Sequence, residues 1–178
     1  MKLQRVFTIL AALTLFTVGT AQAQKPASGD VALFVNNISA LPMYNVGYFM
    51  SSDVMGYGSL GFTNDDNDSG VAFGVGARIY GAPGTSENIR TYWNASLRHN
   101  SEDYISSGGI ASFGGGLAGR GIESTTLSAD FGAEAELAPD FSVGAEVGLQ
   151  WQDVEVAGGG DNSILSLGTA DLTLNYYF

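Results

Sequence analysis

The last ten residues, Thr169–Phe178, alternate strictly: Ala170, Leu172, Leu174, Tyr176 and Phe178 fall on one face, and Thr169, Asp171, Thr173, Asn175 and Tyr177 on the other. Successive side chains of a strand point to opposite faces, so this segment predicts a strand with one apolar and one polar side. The same period-2 reading predicts eight strands: Val31–Ile38, Tyr44–Met50, Val54–Thr63, Val71–Gly81, Ile89–His99, Thr125–Leu137, Phe141–Val154 and Ile164–Phe178. The first is the least defined, because Val31 to Val35 is apolar throughout and does not fix its own phase. The connections alternate between Ser51–Asp53, Ala82–Asn88 and Ala138–Asp140 at one end and Ser39–Pro42, Asn64–Gly70, Asn100–Ser124 and Glu155–Ser163 at the other. Short turns on one side and longer loops on the other are the asymmetry of a membrane barrel. Ser39–Pro42 is short for its group and Ala82–Asn88 long for its own.

The charges sort by face. Val71, Phe73, Val75, Ala77 and Ile79 share one side of the fourth strand, Thr91, Trp93, Ala95 and Leu97 of the fifth, and Leu127, Ala129, Phe131, Ala133 and Ala135 of the sixth. Phe141, Val143, Ala145, Val147, Leu149 and Trp151 continue the series on the seventh, and none of these residues is charged. The opposite faces carry Arg78, Arg90, Arg98, Asp130, Glu134, Glu136, Glu146 and Asp171 among Ser, Gly, Asn and Gln. Alternation alone does not distinguish a water-soluble sandwich from a barrel in lipid, since both alternate.

The start of the chain, the terminal Phe178 and the alternating loop lengths together decide between them. Lys2 and Arg5 precede an apolar run from Val6 to Val18, followed by Ala21-Gln22-Ala23. That is the pattern of a cleaved secretory leader, residues 1–23, leaving 24–178 as one barrel domain. The run is shorter than the ~20 residues a spanning helix requires, so a membrane location implies strands. The 178 residues include no Cys, so export brings no disulfides and folding rests on strand pairing. A formal net charge of −11, made more negative when Lys2 and Arg5 leave with the leader, argues against nucleic acid as a partner.

With AQA at the cleavage site, VMGYGSLGF and VAFGVGARIY as adjacent strands, FSVGAEVGLQW after the Pro139-Asp140 turn and the closing TLNYYF, the chain resembles the small outer-membrane barrels of OmpA/OmpX type. The resemblance implies an all-β, eight-stranded antiparallel up-and-down transmembrane barrel in the bacterial outer membrane, with both termini periplasmic. It implies contact with outer-membrane lipid and lipopolysaccharide. It also makes Leu172, Leu174, Tyr176 and Phe178 a terminal sorting signal, read by the barrel-assembly machinery. The expected function is non-enzymatic: the barrel anchors surface loops for envelope integrity or adhesion, with the loop at 100–124 as the contact for a surface partner. The alternatives are a small, low-conductance, cation-preferring pore and, behind it, a lipid-modifying barrel enzyme.

Eight strands enclose a lumen just wide enough for side chains to fill. Three inward Arg against five inward carboxylates are expected to form a paired network, because a charge in a narrow lumen is costly alone. Inward Gly74, Gly76, Gly144 and Gly148 leave room for Arg side chains or water. Outward aromatics should form two interface girdles: Phe178, Tyr176, Phe141, Trp93 and Tyr48 at the periplasmic end, Phe62 and Trp151 at the outer end. No cofactor or metal is expected. Asp65–Gly70 is rich in oxygens but lacks the bidentate Glu of a calcium loop. The glycine run Gly114–Gly121 lacks the Lys-Ser/Thr of a phosphate loop. His99, near Ser101 and Asp103, is phased toward lipid at a strand end and reads as an interface residue rather than a catalytic base.

Overall fold

The computed structural model describes residues 26–36, 42–64, 68–82, 88–104, 121–156 and 161–178. The predicted leader and the glycine run up to Gly119 lie outside them. Eight strands follow one another, β1 (Val31–Asn36), β2 (Met43–Ser51), β3 (Val54–Asn64), β4 (Asp68–Tyr80), β5 (Ile89–Tyr104), β6 (Gly121–Ala138), β7 (Phe141–Val156) and β8 (Asp161–Tyr177). Each pairs antiparallel with the next, and β1 pairs with β8, so the sheet closes into an up-and-down barrel. Closure leaves no full-length free edge, the usual liability of an isolated sheet. The end that carries Val31 and Phe178 is called the lower end below.

Two of the predicted lower turns hold: β2 reaches Ser51 and β3 begins at Val54, while Pro139 and Asp140 join β6 to β7; of the third, Ala82–Asn88, residues 83–87 lie outside the described residues. At the upper end the predicted loops shrink. Asp68–Gly70 belong to β4, Asn100–Tyr104 to β5, Gly121–Ser124 to β6, Glu155 and Val156 to β7, and Asp161–Ser163 to β8. These stretches are mostly polar and do not alternate, so hydropathy gives no strand signal; the hydrogen-bonded ladder continues regardless, as in Asp103 opposite Gly121 and Glu155 opposite Asp161. At the start, β1 ends at Asn36, and the predicted Asn37 and Ile38 lie outside the described residues.

Burial fixes the phase that the first strand lacked. Ala32, Phe34 and Asn36 point inward, while Leu33 is 43% exposed on the outside. One irregularity was not legible in the sequence. Gly148 faces Thr169 but Leu149 faces Leu167, so Gly168 is an extra residue in β8. A bulge of this kind shifts the side-chain phase by one, which places Leu165 and Leu167 on the same outer face as Leu172.

The core of the molecule is the inside of the barrel. Phe34, Phe49, Met55, Tyr57, Tyr80, Tyr92 and Tyr177 form a buried cluster across its lower half. Glycines make this possible. Tyr57 lies over its register partner Gly76 and Tyr92 over Gly132, where a Cβ would collide with the rings. The space at Gly76 is therefore taken by Tyr57, not by Arg or water as expected. At Gly148 an added Cβ would strike the Ala129 carbonyl and Asp130, so that position is closed as well. Thr91, outward by alternation, is covered: Gly81 and Ala82 donate backbone N–H to its carbonyl at 3.0 and 3.3 Å, and its hydroxyl donates to the Ala82 carbonyl at 2.5 Å. Gly81 turns the chain there with φ +87°, a conformation suited to glycine.

Candidate functional site in the barrel lumen

The polar groups of the lumen are organised around two ion pairs. Arg78 of β4 crosses the lumen to β7, where its guanidinium donates to Glu146 Oε1 at 2.5 Å, and to β8, where it donates to Asn175 Oδ1 at 3.0 Å. Its planar group also lies over the rings of Phe34 and Tyr92, 4.1 and 4.6 Å from their centroids. Stacking and a charge-assisted bond together hold a guanidinium in a site that is 1% exposed. Glu146 accepts two more bonds, from the Tyr92 hydroxyl at 2.9 Å and the Asn94 amide at 3.2 Å. The same Asn94 amide donates to Asp130 at 3.2 Å, and Ser128 donates to Asp130 at 2.9 Å. Tyr57 donates to Asn94 Oδ1 at 2.9 Å, orienting the amide.

Nearer the lower mouth, Arg90 pairs with Glu134. The Tyr177 hydroxyl lies 2.9 and 2.8 Å from the two oxygens of Glu134. Arg90 is stacked between Tyr80 and Tyr177, 4.9 Å from each centroid. Asn175 links the two centres, accepting from Arg78 and donating to Ser142 at 3.0 Å, whose hydroxyl lies 3.5 Å from that of Tyr177.

The eight charged residues singled out from sequence all lie on the inner wall, but not in one network. Arg78, Arg90, Asp130, Glu134 and Glu146 are joined as above. Arg98 and Asp171 lie higher, half-buried and close enough to interact electrostatically, without a direct ion pair among the described residues. Glu136 stands at the lower mouth, half-buried, with Oε1 unpartnered. What sequence reasoning missed is the aromatic packing: a Tyr in a strand carries no sign of facing a lumen unless the glycine opposite it is recognised in register.

Above Arg78 the character changes. Ser96, Arg98, Ser128, Gln150, Gln152, Ser166 and Asp171 are inward and half-buried, whereas Met43, Ala72, Ser124 and Thr126 at these levels are buried, so the upper lumen is more polar than the lower and filled on the β2–β6 side. Outside, Trp93–Phe131 and Tyr176–Phe178 pair edge to face toward the lower end, and Tyr44 stacks on Phe62 toward the upper. His99 packs on Phe73 on the outer wall, its Nδ1 3.2 Å from the Thr125 hydroxyl. Both contacts lie on the outer wall, and among the described residues no carboxylate is hydrogen-bonded to it.

The chain is an eight-stranded antiparallel up-and-down barrel with an apolar exterior and a packed, polar and aromatic interior. Among solved structures it is similar to the crystal structure of the N-terminal beta-barrel domain of Pseudomonas aeruginosa OprF, with 21% sequence identity over 84% of this chain and 96% of that one, at a TM-score of 0.49. No protein-family model matches the chain, and no curated protein does.

Proposed function

We propose that this protein is a barrel of the bacterial outer membrane that anchors its upper loops, without catalysis, for envelope integrity or surface adhesion. The observation that carries this reading is the inversion of ordinary burial. Val46, Val75, Leu127, Leu167 and Leu172 are each more than half exposed on the outer wall, while Arg78 and Glu134 are 1% exposed inside. In water this arrangement exposes the apolar surface that folding exists to hide; in a bilayer it is the favourable one. The aromatic bands at the two ends fit the interfaces between headgroup and hydrocarbon. Lipid and lipopolysaccharide then surround the wall, and β8 presents its apolar face to the assembly machinery.

The packed lower lumen argues for an anchor over a pore, because Arg78, Phe49, Met55 and Tyr92 fill it with side chains that are all but fully buried. The test is folding in detergent or lipid vesicles: a heat-modifiable electrophoretic shift, a β-type circular dichroism spectrum and fractionation with the outer membrane are expected. Planar-bilayer recording should show little conductance. A soluble, monomeric protein without the shift would overturn the membrane reading, and a large stable conductance would replace the anchor with a pore.

A further inference from the structure

The open part of the lumen lies on one side. Alternation, with the bulge at Gly168, turns Gln150 and Gln152 of β7 and Ser166 and Asp171 of β8 inward, and each keeps accessible surface in the folded chain. Met43, Ala72 and Thr126 on the other strands are buried, and so are Tyr57, Arg78 and Tyr92 below. The accessible space of the upper lumen therefore lies toward β7 and β8, where half-buried Ser96 and Arg98 reach it from β5. Ser96, Ser128, Gln150 and Ser166 stand side by side in register around it.

Most of these polar groups are without a protein partner. Ser96 shares a hydroxyl contact with Ser128 at 2.8 Å, but among the described residues Arg98, Gln150, Gln152 and Ser166 have no side-chain hydrogen bond or ion pair. Arg98 and Asp171 interact electrostatically without closing an ion pair. Polar side chains that reach accessible space and lack a protein partner bond water, and a ligand that reproduces those bonds displaces it. The two opposite charges select the ligand. A bare anion at Arg98 is repelled by Asp171 and a bare cation at Asp171 by Arg98, whereas a molecule carrying both charges satisfies both. Higher up, the inner face turns apolar. Ile122 of β6, Val154 and Val156 of β7 and Ile164 of β8 are inward and half-buried, while Glu123 and Glu155 take the outside. This reverses the polarity of the wall below and sets an apolar collar over a polar floor.

We infer that the upper lumen on the β7–β8 side is a binding pocket for a free amino acid with an aliphatic side chain, its carboxylate at Arg98, its ammonium at Asp171 and its side chain against Val154 and Ile164. Gln150, Gln152 and Ser166 supply further donors and acceptors around the two charges. The buried Arg78 below makes the pocket blind, so it holds its ligand rather than passing it on. The pocket needs only the closed barrel and stands apart from the membrane reading.

Equilibrium dialysis of radiolabelled L-leucine against the folded barrel in detergent micelles tests this. One saturable site per barrel is expected. Isocaproate, which lacks the ammonium, isoamylamine, which lacks the carboxylate, and glycine, which lacks the side chain, should each compete about tenfold less well than leucine. Arg98→Gln and Asp171→Asn should each weaken binding about tenfold, and Arg98→Lys should restore part of it. Val154→Ser should narrow the preference for leucine over glycine. Each variant is first checked for the β-type circular dichroism spectrum, so that loss of the fold is told apart from loss of binding. A folded barrel with no saturable binding overturns the inference. So does equal competition by isocaproate or glycine, or binding indifferent to Arg98→Gln or to Asp171→Asn.

Discussion

Arg78 shows how much a single side chain can commit. It is enclosed by Phe34, Tyr92, Glu146 and Asn175, contributed by four strands, and so ties opposite walls of the barrel together. Removing it leaves Glu146 buried with only neutral donors, Tyr92 and Asn94. Arg78→Met is expected to cost about 3–5 kcal/mol, because an uncompensated buried charge is left behind. The double variant Arg78→Met/Glu146→Gln should regain most of that loss, since both charges are then gone. Urea unfolding of the inserted barrel measures both, and equal destabilisation of the single and double variants would show that packing rather than charge dominates. Alternation in the sequence already put Arg78 and Glu146 on one face. It could not pair them, because they are 68 residues apart on strands that are not neighbours. The aromatic filling was less legible still, since it depends on coincidences of register such as Tyr57 over Gly76.

At the scale of the element, β8 carries the clearest pattern and the least expected defect. Below Gly168 its alternation is strict, and the structure follows it: Thr173 and Asn175 are buried inside, Leu172 and Leu174 exposed outside. The bulge at Gly168 was invisible because Leu165, Leu167, Ala170 and Leu172 read as apolar in either phase. The upper ends of β4 to β8 were missed for another reason, namely that they extend beyond the apolar belt, where neither face needs hydrophobic residues. Phe178, although past the last strand residue, still donates to the Val31 carbonyl at 2.8 Å and so closes the seam. Leu174 faces Val35 and Val143 across its two ladders. Leu174→Arg should cost about 2–4 kcal/mol if it lies near the bilayer midplane, and deletion of Phe178 should slow assembly at the β1–β8 seam. Thr173→Ser keeps the hydroxyl that accepts from Asn175 and should be mild. Membrane fractionation of the three variants checks this, and equal tolerance of all three would contradict lipid on the outside.

For the whole molecule, the question is how independent the wall is from the loops it carries. The β5–β6 ladder runs without a register break from Ile89 opposite Ala135 to Asp103 opposite Gly121, and every other pair closes around the ring on its own register. None of this pairing draws on residues 105–120. The upper rim is acidic, with Glu123, Glu155 and Asp161 side by side on three adjacent strands. Like charges in such positions repel across the ladder, and in the proposed outer membrane they would repel anionic headgroups at the rim, so the proposed surface contact is expected in residues 105–120 rather than on the rim itself. Replacing residues 106–119 with a Gly-Ser linker of about half the length should therefore leave insertion and the heat-modifiable shift intact. Loop closure alone favours the shorter connection by roughly 0.6 kcal/mol. Adherence of intact cells expressing the protein should fall to the level of cells lacking it. Lost insertion with adherence retained would invert the assignment, placing a folding determinant in the loop and the contact surface on the barrel.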